Sequence, residues 1–170
     1  MTTAQHLAVI ELLRVRAFPA ERGPSEVGTS GPGYHLAELP RSDGFRYDGF
    51  RYDGGDEDVA RLIEDADQCA AEHTALTEIL SARFGEPQYI SLWSVHVRGG
   101  EGEEIPEPWR ELSEGLRYIH LWRIESRWLA VGMAGEGEGE GEGEGEGEGE
   151  GGGGERRPRL VAAVTETDPP

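Results

Sequence analysis

Between Asp56 and Arg83 the apolar side chains fall on one stripe, and no other stretch constrains the fold as strongly. Val59, Leu62, Ala66, Cys69, His73, Leu76 and Leu80 recur at helical spacing, with Ile63 and Ala70 widening the stripe. Asp56 and Asp58 are good capping residues at the positive end of the helix dipole. Gly85 suits the left-handed position after a helix, and Pro87 prevents continuation. A helix of this length with one apolar face must lie on something.

What it lies on follows in the chain. After Pro87 the period changes to two. Gln88 to Val97 reads as a strand, as do Arg117 to Ile124, Arg127 to Met133 and Arg159 to Glu166. Pro108 to Leu112 has room for one helical turn between polar loop residues. Only Glu125 and Ser126 separate the second and third strands, which predicts a hairpin. Glu-Ser fits a type I′ turn poorly, so a loop wider than two residues is expected. With the two-residue register, Trp122 pairs with Leu129, His120 with Val131 and Tyr118 with Met133. The opposite face carries Ile119, Leu121, Arg123, Trp128, Ala130 and Gly132. Both faces are substantially apolar, so both need cover. The long helix supplies one. The N-terminal segment is expected to supply the other, with a second protein as the alternative.

Further toward the N-terminus the signals weaken. Thr3 is a candidate cap for a helix over 4–17, in which Leu7, Ile10 and Leu13 share a face. Pro19 to Pro40 is punctuated by Pro, Gly and Ser and reads as loop. A tandem repeat follows, Asp43-Gly44-Phe45-Arg46-Tyr47 and its copy over 48–52. Two copies are too few for a solenoid. Near the other end, the Gly-Glu alternation from Gly135 to Glu150 mimics a strand pattern with nothing to bury. Glycine entropy and glutamate repulsion predict a solvated, disordered loop inserted between the last two strands. The expected architecture is therefore α+β: one long helix on a four-stranded, mainly antiparallel sheet in α-β-β-β-β order. Residues 1–55 form a partly ordered extension, and 56–170 form a single domain interrupted by the insertion 135–155.

Composition removes several chemistries. All 16 basic residues are arginine, which rules out a lysine Schiff base or a P-loop lysine. The one cysteine, Cys69, allows neither an intramolecular disulfide nor a Cys-x-x-Cys motif. The formal net charge is −18, and removing the eight acids of the Gly-Glu repeat still leaves −10. Such a field repels nucleic acid and anionic membranes and favours a basic partner. The beginning of the chain has no signal-peptide layout, and no apolar run is long enough to span a bilayer, so the cytoplasm is the expected compartment.

No motif specifies a reaction, a cofactor or a metal. Cys69 and His73 share a helix face, and His120 joins them if the helix covers its side of the sheet. A thiol–imidazole site is one reading, and a buried cysteine beside core histidines is the plainer one. The acids Asp53, Asp56, Glu57 and Asp58 do not follow the EF-hand pattern. Trp109, which follows Pro106 and Pro108, is the best candidate for an exposed anchor, and Trp128, Arg123 and Leu121 are candidates on the second sheet face. The favoured function is a non-enzymatic protein-interaction domain, resembling immunity-type binders in size and charge only. The alternatives are a small enzyme using Cys69, His73 or His120, and a polyanionic modulator acting through the Gly-Glu tract.

Overall fold

A computed structural model describes residues 2–39, 56–135 and 158–170. The elements run α1 (Thr3–Val15), β1 (Gly23–Ser25), β2 (Gly28–Gly31), β3 (Tyr34–Leu39), α2 (Asp56–Phe84), β4 (Gln88–Ser91), α3 (Trp93–Gly100), α4 (Trp109–Gly115), β5 (Tyr118–Ile124), β6 (Arg127–Ala134) and β7 (Arg159–Thr165). The tandem repeat over 43–52, the Gly-Glu tract beyond Gly135, Asp53 and the side chains of 56–59 lie outside the described residues.

The fold is α+β with an antiparallel sheet, but among the described residues the sheet has seven strands, in the order β1-β2-β3-β7-β6-β5-β4. The hairpin and meander expected from the period-two segments are present. Trp122 pairs with Leu129 and His120 with Val131, while β7 lies beside β6. Three strands were not expected. The stretch over 19–40, which reads as loop, contains β1, β2 and β3, and β3 pairs with β7 through six residues from Tyr34↔Thr165 to Leu39↔Leu160. Backbone pairing to a buried neighbour overrides the weak strand propensity of glycine and proline here.

Alternation along the strands sends side chains into two cores. On one face Leu129, Val131, Leu160, Ala162 and Val164 pack with Ile10 and Leu13 of α1 and with Cys69, Leu76 and Leu80 of α2. Of the α2 stripe, Cys69, Leu76 and Leu80 are buried and Leu62, Ala66 and His73 half-buried, while Ile63 and Ala70 are exposed. Gly85 takes φ +90° after α2, and its carbonyl accepts from Trp122 Nε1 at 3.0 Å. Helix α1 is capped by Thr2, one residue before the expected Thr3. The Thr2 side chain accepts from Gln5 N, and Gln5 reaches back to Thr2 N at 2.7 Å. At the other end of α1, Arg127 of β6 donates to the carbonyls of Arg14 (2.7 Å) and Arg16 (3.0 Å) and covers the Phe18 ring. A cation at the carbonyl end of a helix satisfies orphan acceptors and opposes the dipole, which fixes α1 on the sheet.

The second face is covered by α3 and α4, not by the N-terminal segment. Leu92, Val95, Ile105, Trp109, Leu112 and Leu116 pack there on Ile119, Leu121, Ala130, Val161 and Ala163. This corrects the strand expected over 88–97. Only 88–91 is extended, and from Trp93 the chain is helical. The apolar spacing of Leu92 and Val95 suits a helix lying on the sheet, and Ser91 Oγ accepts from Trp93 N at 3.3 Å at its start. The turn between β5 and β6 is two residues long, since Ile124 pairs with Arg127. Glu125 has φ +56° and Ser126 does not share a positive φ, a pattern unlike type I′. The misfit of Glu-Ser to type I′ therefore does not widen the loop.

Candidate functional site

The α2 stripe and the β5 register do bring His73 and His120 together, with ring centroids 5.1 Å apart. Tyr89, opposite His120 across the β4–β5 pair, lies 5.0 Å from it and stacks on Tyr118 at 5.3 Å with an interplanar angle of 8°. The cluster runs outward from buried Trp122, 6.2 Å from His120, to Tyr89 and Tyr118, which are 64% and 46% exposed. Trp93, 62% exposed, follows β4 directly and stacks on His96. Tyr89 and Tyr118 thus form an exposed stacked pair at the β4–β5 edge on the α2 side, while Trp93 opens the helix that covers the other face.

Burial lowers the pKa of His73, and the charge of His120 lowers it further against a small opposing effect from the Val131 backbone. Burial lowers His120 as well. Neither His73 Nε2 nor His120 Nδ1 has a hydrogen-bond partner among the described residues. Cys69 sits one helical turn before His73, fully buried in the core. A thiolate–imidazolium pair needs a stabilised imidazolium, and this surrounding opposes one. Among the described residues no group of three His, Cys, Asp or Glu side chains is placed to hold a metal ion.

His35 is a third histidine whose pKa burial lowers. A histidine that resists protonation when folded makes unfolding take up a proton as the solution acidifies. The stability tied to neutral imidazole is complete above the unfolded value of about 6.5 and is lost as pH falls from there toward the folded values. The denaturation midpoint should accordingly drop between about pH 7 and pH 5, with His73→Gln and His120→Gln each making the profile shallower. A flat profile through that range would contradict the burial assigned to these rings.

The other residues singled out from sequence are divided by the fold. Trp109, expected at the surface, is 0% exposed, and its Nε1 donates to the Thr167 carbonyl at 3.2 Å. Leu121 is buried in the same core. Arg123 and Trp128 come together across the hairpin, the guanidinium 4.7 Å over the indole, and both donate to Asp168 Oδ1 at 3.0 and 2.9 Å. Those bonds hold the Asp168 carboxyl below its usual range, the indole contributing most. The pair clasps the C-terminal residues.

Sequence reasoning missed two features. One is the exposed Tyr89–Tyr118 stack, with exposed Trp93 two residues beyond β4. The other is Ser30 and His35, hidden in a stretch read as loop. They are cross-strand partners in the β2–β3 hairpin, with Ser30 Oγ 2.8 Å from His35 Nδ1. The available signal was Pro32-Gly33, a turn dipeptide between short alternating segments.

Comparisons with protein-family models, curated proteins and solved structures find no match for the chain. No helix among the described residues is long and apolar enough to cross a membrane.

Proposed function

We propose that the protein is a binding domain that receives a basic segment of another protein on the aromatic surface at the β4 end of its sheet. The observation that carries this reading is the stacked, solvent-facing pair Tyr89–Tyr118, with Trp93 beside the same edge strand. Rigid exposed aromatics are the side chains from which interfaces draw most of their energy. Their faces attract guanidinium and ammonium groups, and a net charge of −18 adds attraction for a cationic partner.

The test uses two fluorescent decapeptides, one alternating Arg and Val and one alternating Glu and Val, titrated against the full chain in a salt series. The basic peptide should bind, and Tyr118→Ala or Trp93→Ala should weaken it about tenfold, corresponding to about 1.4 kcal/mol. Both side chains are substantially exposed, so the variants should keep the parent's unfolding midpoint. Equal binding of the two peptides, or unaltered affinity in both variants, would remove this reading.

A further inference from the structure

A cavity of about 400 Å³ opens beside the β1–β2–β3 edge of the sheet, far in the strand order from β4. Its floor holds His35 and Ser30, which are 1% and 7% exposed, and Ser25. Its rim carries Arg16, Glu21 and Glu26, all exposed. A volume in this range suits a small metabolite.

The floor is polar and incompletely satisfied. Ser30 Oγ and His35 Nδ1 satisfy each other at 2.8 Å. His35 Nε2 has no hydrogen-bond partner among the described residues, although the Arg16 and Ala17 backbone stands close enough to hold the imidazole pKa partly up. Ser25 Oγ is also buried without a partner among the described residues. A buried polar atom left unpaired is costly, so two at one cavity mark a place where a ligand or water gains by binding. The dyad works in either tautomer. If Ser30 donates to Nδ1, Nε2 carries a proton to offer; if Nδ1 donates, Nε2 accepts and the hydroxyl is free to donate.

The rim decides the charge of the occupant. Arg16, Glu21 and Glu26 form no ion pair among the described residues, so one cation and two anions face the same opening. A purely anionic ligand would meet two carboxylates, and a purely cationic one would meet the guanidinium. A ligand with both signs satisfies the rim, and a polar side chain satisfies the floor. We propose that this cavity binds a free α-amino acid with a polar side chain, its carboxylate toward Arg16, its ammonium toward Glu21 and Glu26, and its side chain toward Ser25, Ser30 and His35. Acyl transfer by Ser30 is a poorer account. Among the described residues the imidazole has no carboxylate partner to fix its tautomer, its Nδ1 being taken by Ser30 itself.

The experiment is an amide NMR titration of the full chain with L-glutamine, L-serine and L-arginine in turn. Propionate and ethylamine, which carry the two charged groups separately, serve as controls. At least one amino acid should give saturable shifts at Ser25, Ser30 and His35 with a Kd below about 10 mM, and the controls should not. Arg16→Gln and the double variant Glu21→Gln/Glu26→Gln should each weaken that binding at least about tenfold. These side chains lie at the surface, so an unchanged unfolding midpoint confirms that the variants are folded. Absence of saturation with all three amino acids overturns the proposal. So do equal shifts with either control, or binding that both rim variants leave intact.

Discussion

Trp109→Ala is expected to destabilise the protein by about 3–5 kcal/mol, the range found when a fully buried large aromatic is truncated. Trp109 is 0% exposed and belongs to the core formed by Leu92, Val95, Ile105 and Leu112 on one side and Ile119, Leu121 and Ala130 on the other. Its removal leaves a void beneath α3 and α4, which are short helices with little stability of their own. Its indole N–H also ties the Thr167 carbonyl, so the C-terminal residues lose one of their anchors. Trp109→Phe separates the two contributions. It keeps most of the packing and gives up the hydrogen bond, which should cost about 1 kcal/mol plus a smaller packing loss. Urea denaturation followed by circular dichroism reads both. A Trp109→Ala loss below about 1 kcal/mol would mean that the α3–α4 layer is not part of the cooperative core.

That layer also marks where the sequence ceased to be legible. The hairpin over 118–134 could be read because alternation is strong on both strands and only two residues join them. The α2 stripe could be read because its apolar positions share helical spacing, and His73 meets His120 once α2 covers that face of the β5 register. The stretch 92–100 could not. Trp93, Val95 and Val97 alternate as a strand does, and the helical state of this stretch depends on a sheet face supplied by residues 119–163. The same nonlocal cause buries Trp109, whose neighbouring prolines suggest an exposed loop when read alone. In β1 and β2, Gly23, Pro24, Gly28 and Gly31 carry no strand propensity, and their pairing is imposed by β3, itself held by β7. Pro32-Gly33 marks a turn, but it does not by itself pair Ser30 with His35. Their proximity is a matter of register, and register needs the strand to be recognised first. Arg123 and Trp128 were readable as neighbours, whereas their common acceptor Asp168 was not, because the tail folds back over a core that no local pattern announces.

Gly28→Ala is expected to cost about 3 kcal/mol or more, a large effect for one added methyl group. Gly28 pairs with Ala37 where β2 meets β3. A Cβ built there stands 2.3 Å from the Leu36 carbonyl oxygen and 3.1 Å from the Ala37 Cα. Both are backbone atoms of a strand held on its other side by β7, so no side-chain rotation relieves the clash. β2 must move off β3, and β1, which pairs with β2, moves with it. Gly23 provides the control within the same edge, because a Cβ there meets nothing within 4 Å. Gly23→Ala should change stability by no more than about 0.5 kcal/mol. Hydrogen exchange adds the spatial readout. In Gly28→Ala the amides of β1 and β2 should lose protection, while those of β5 and β6 keep it relative to the new global stability. The Ser30–His35 contact should open with them, since it spans the β2–β3 pair, and the His35 pKa should rise toward its unperturbed value as burial is lost. If Gly28→Ala were as benign as Gly23→Ala, β2 would not lie against β3 as described, and the cavity floor built on that pair would have to be abandoned.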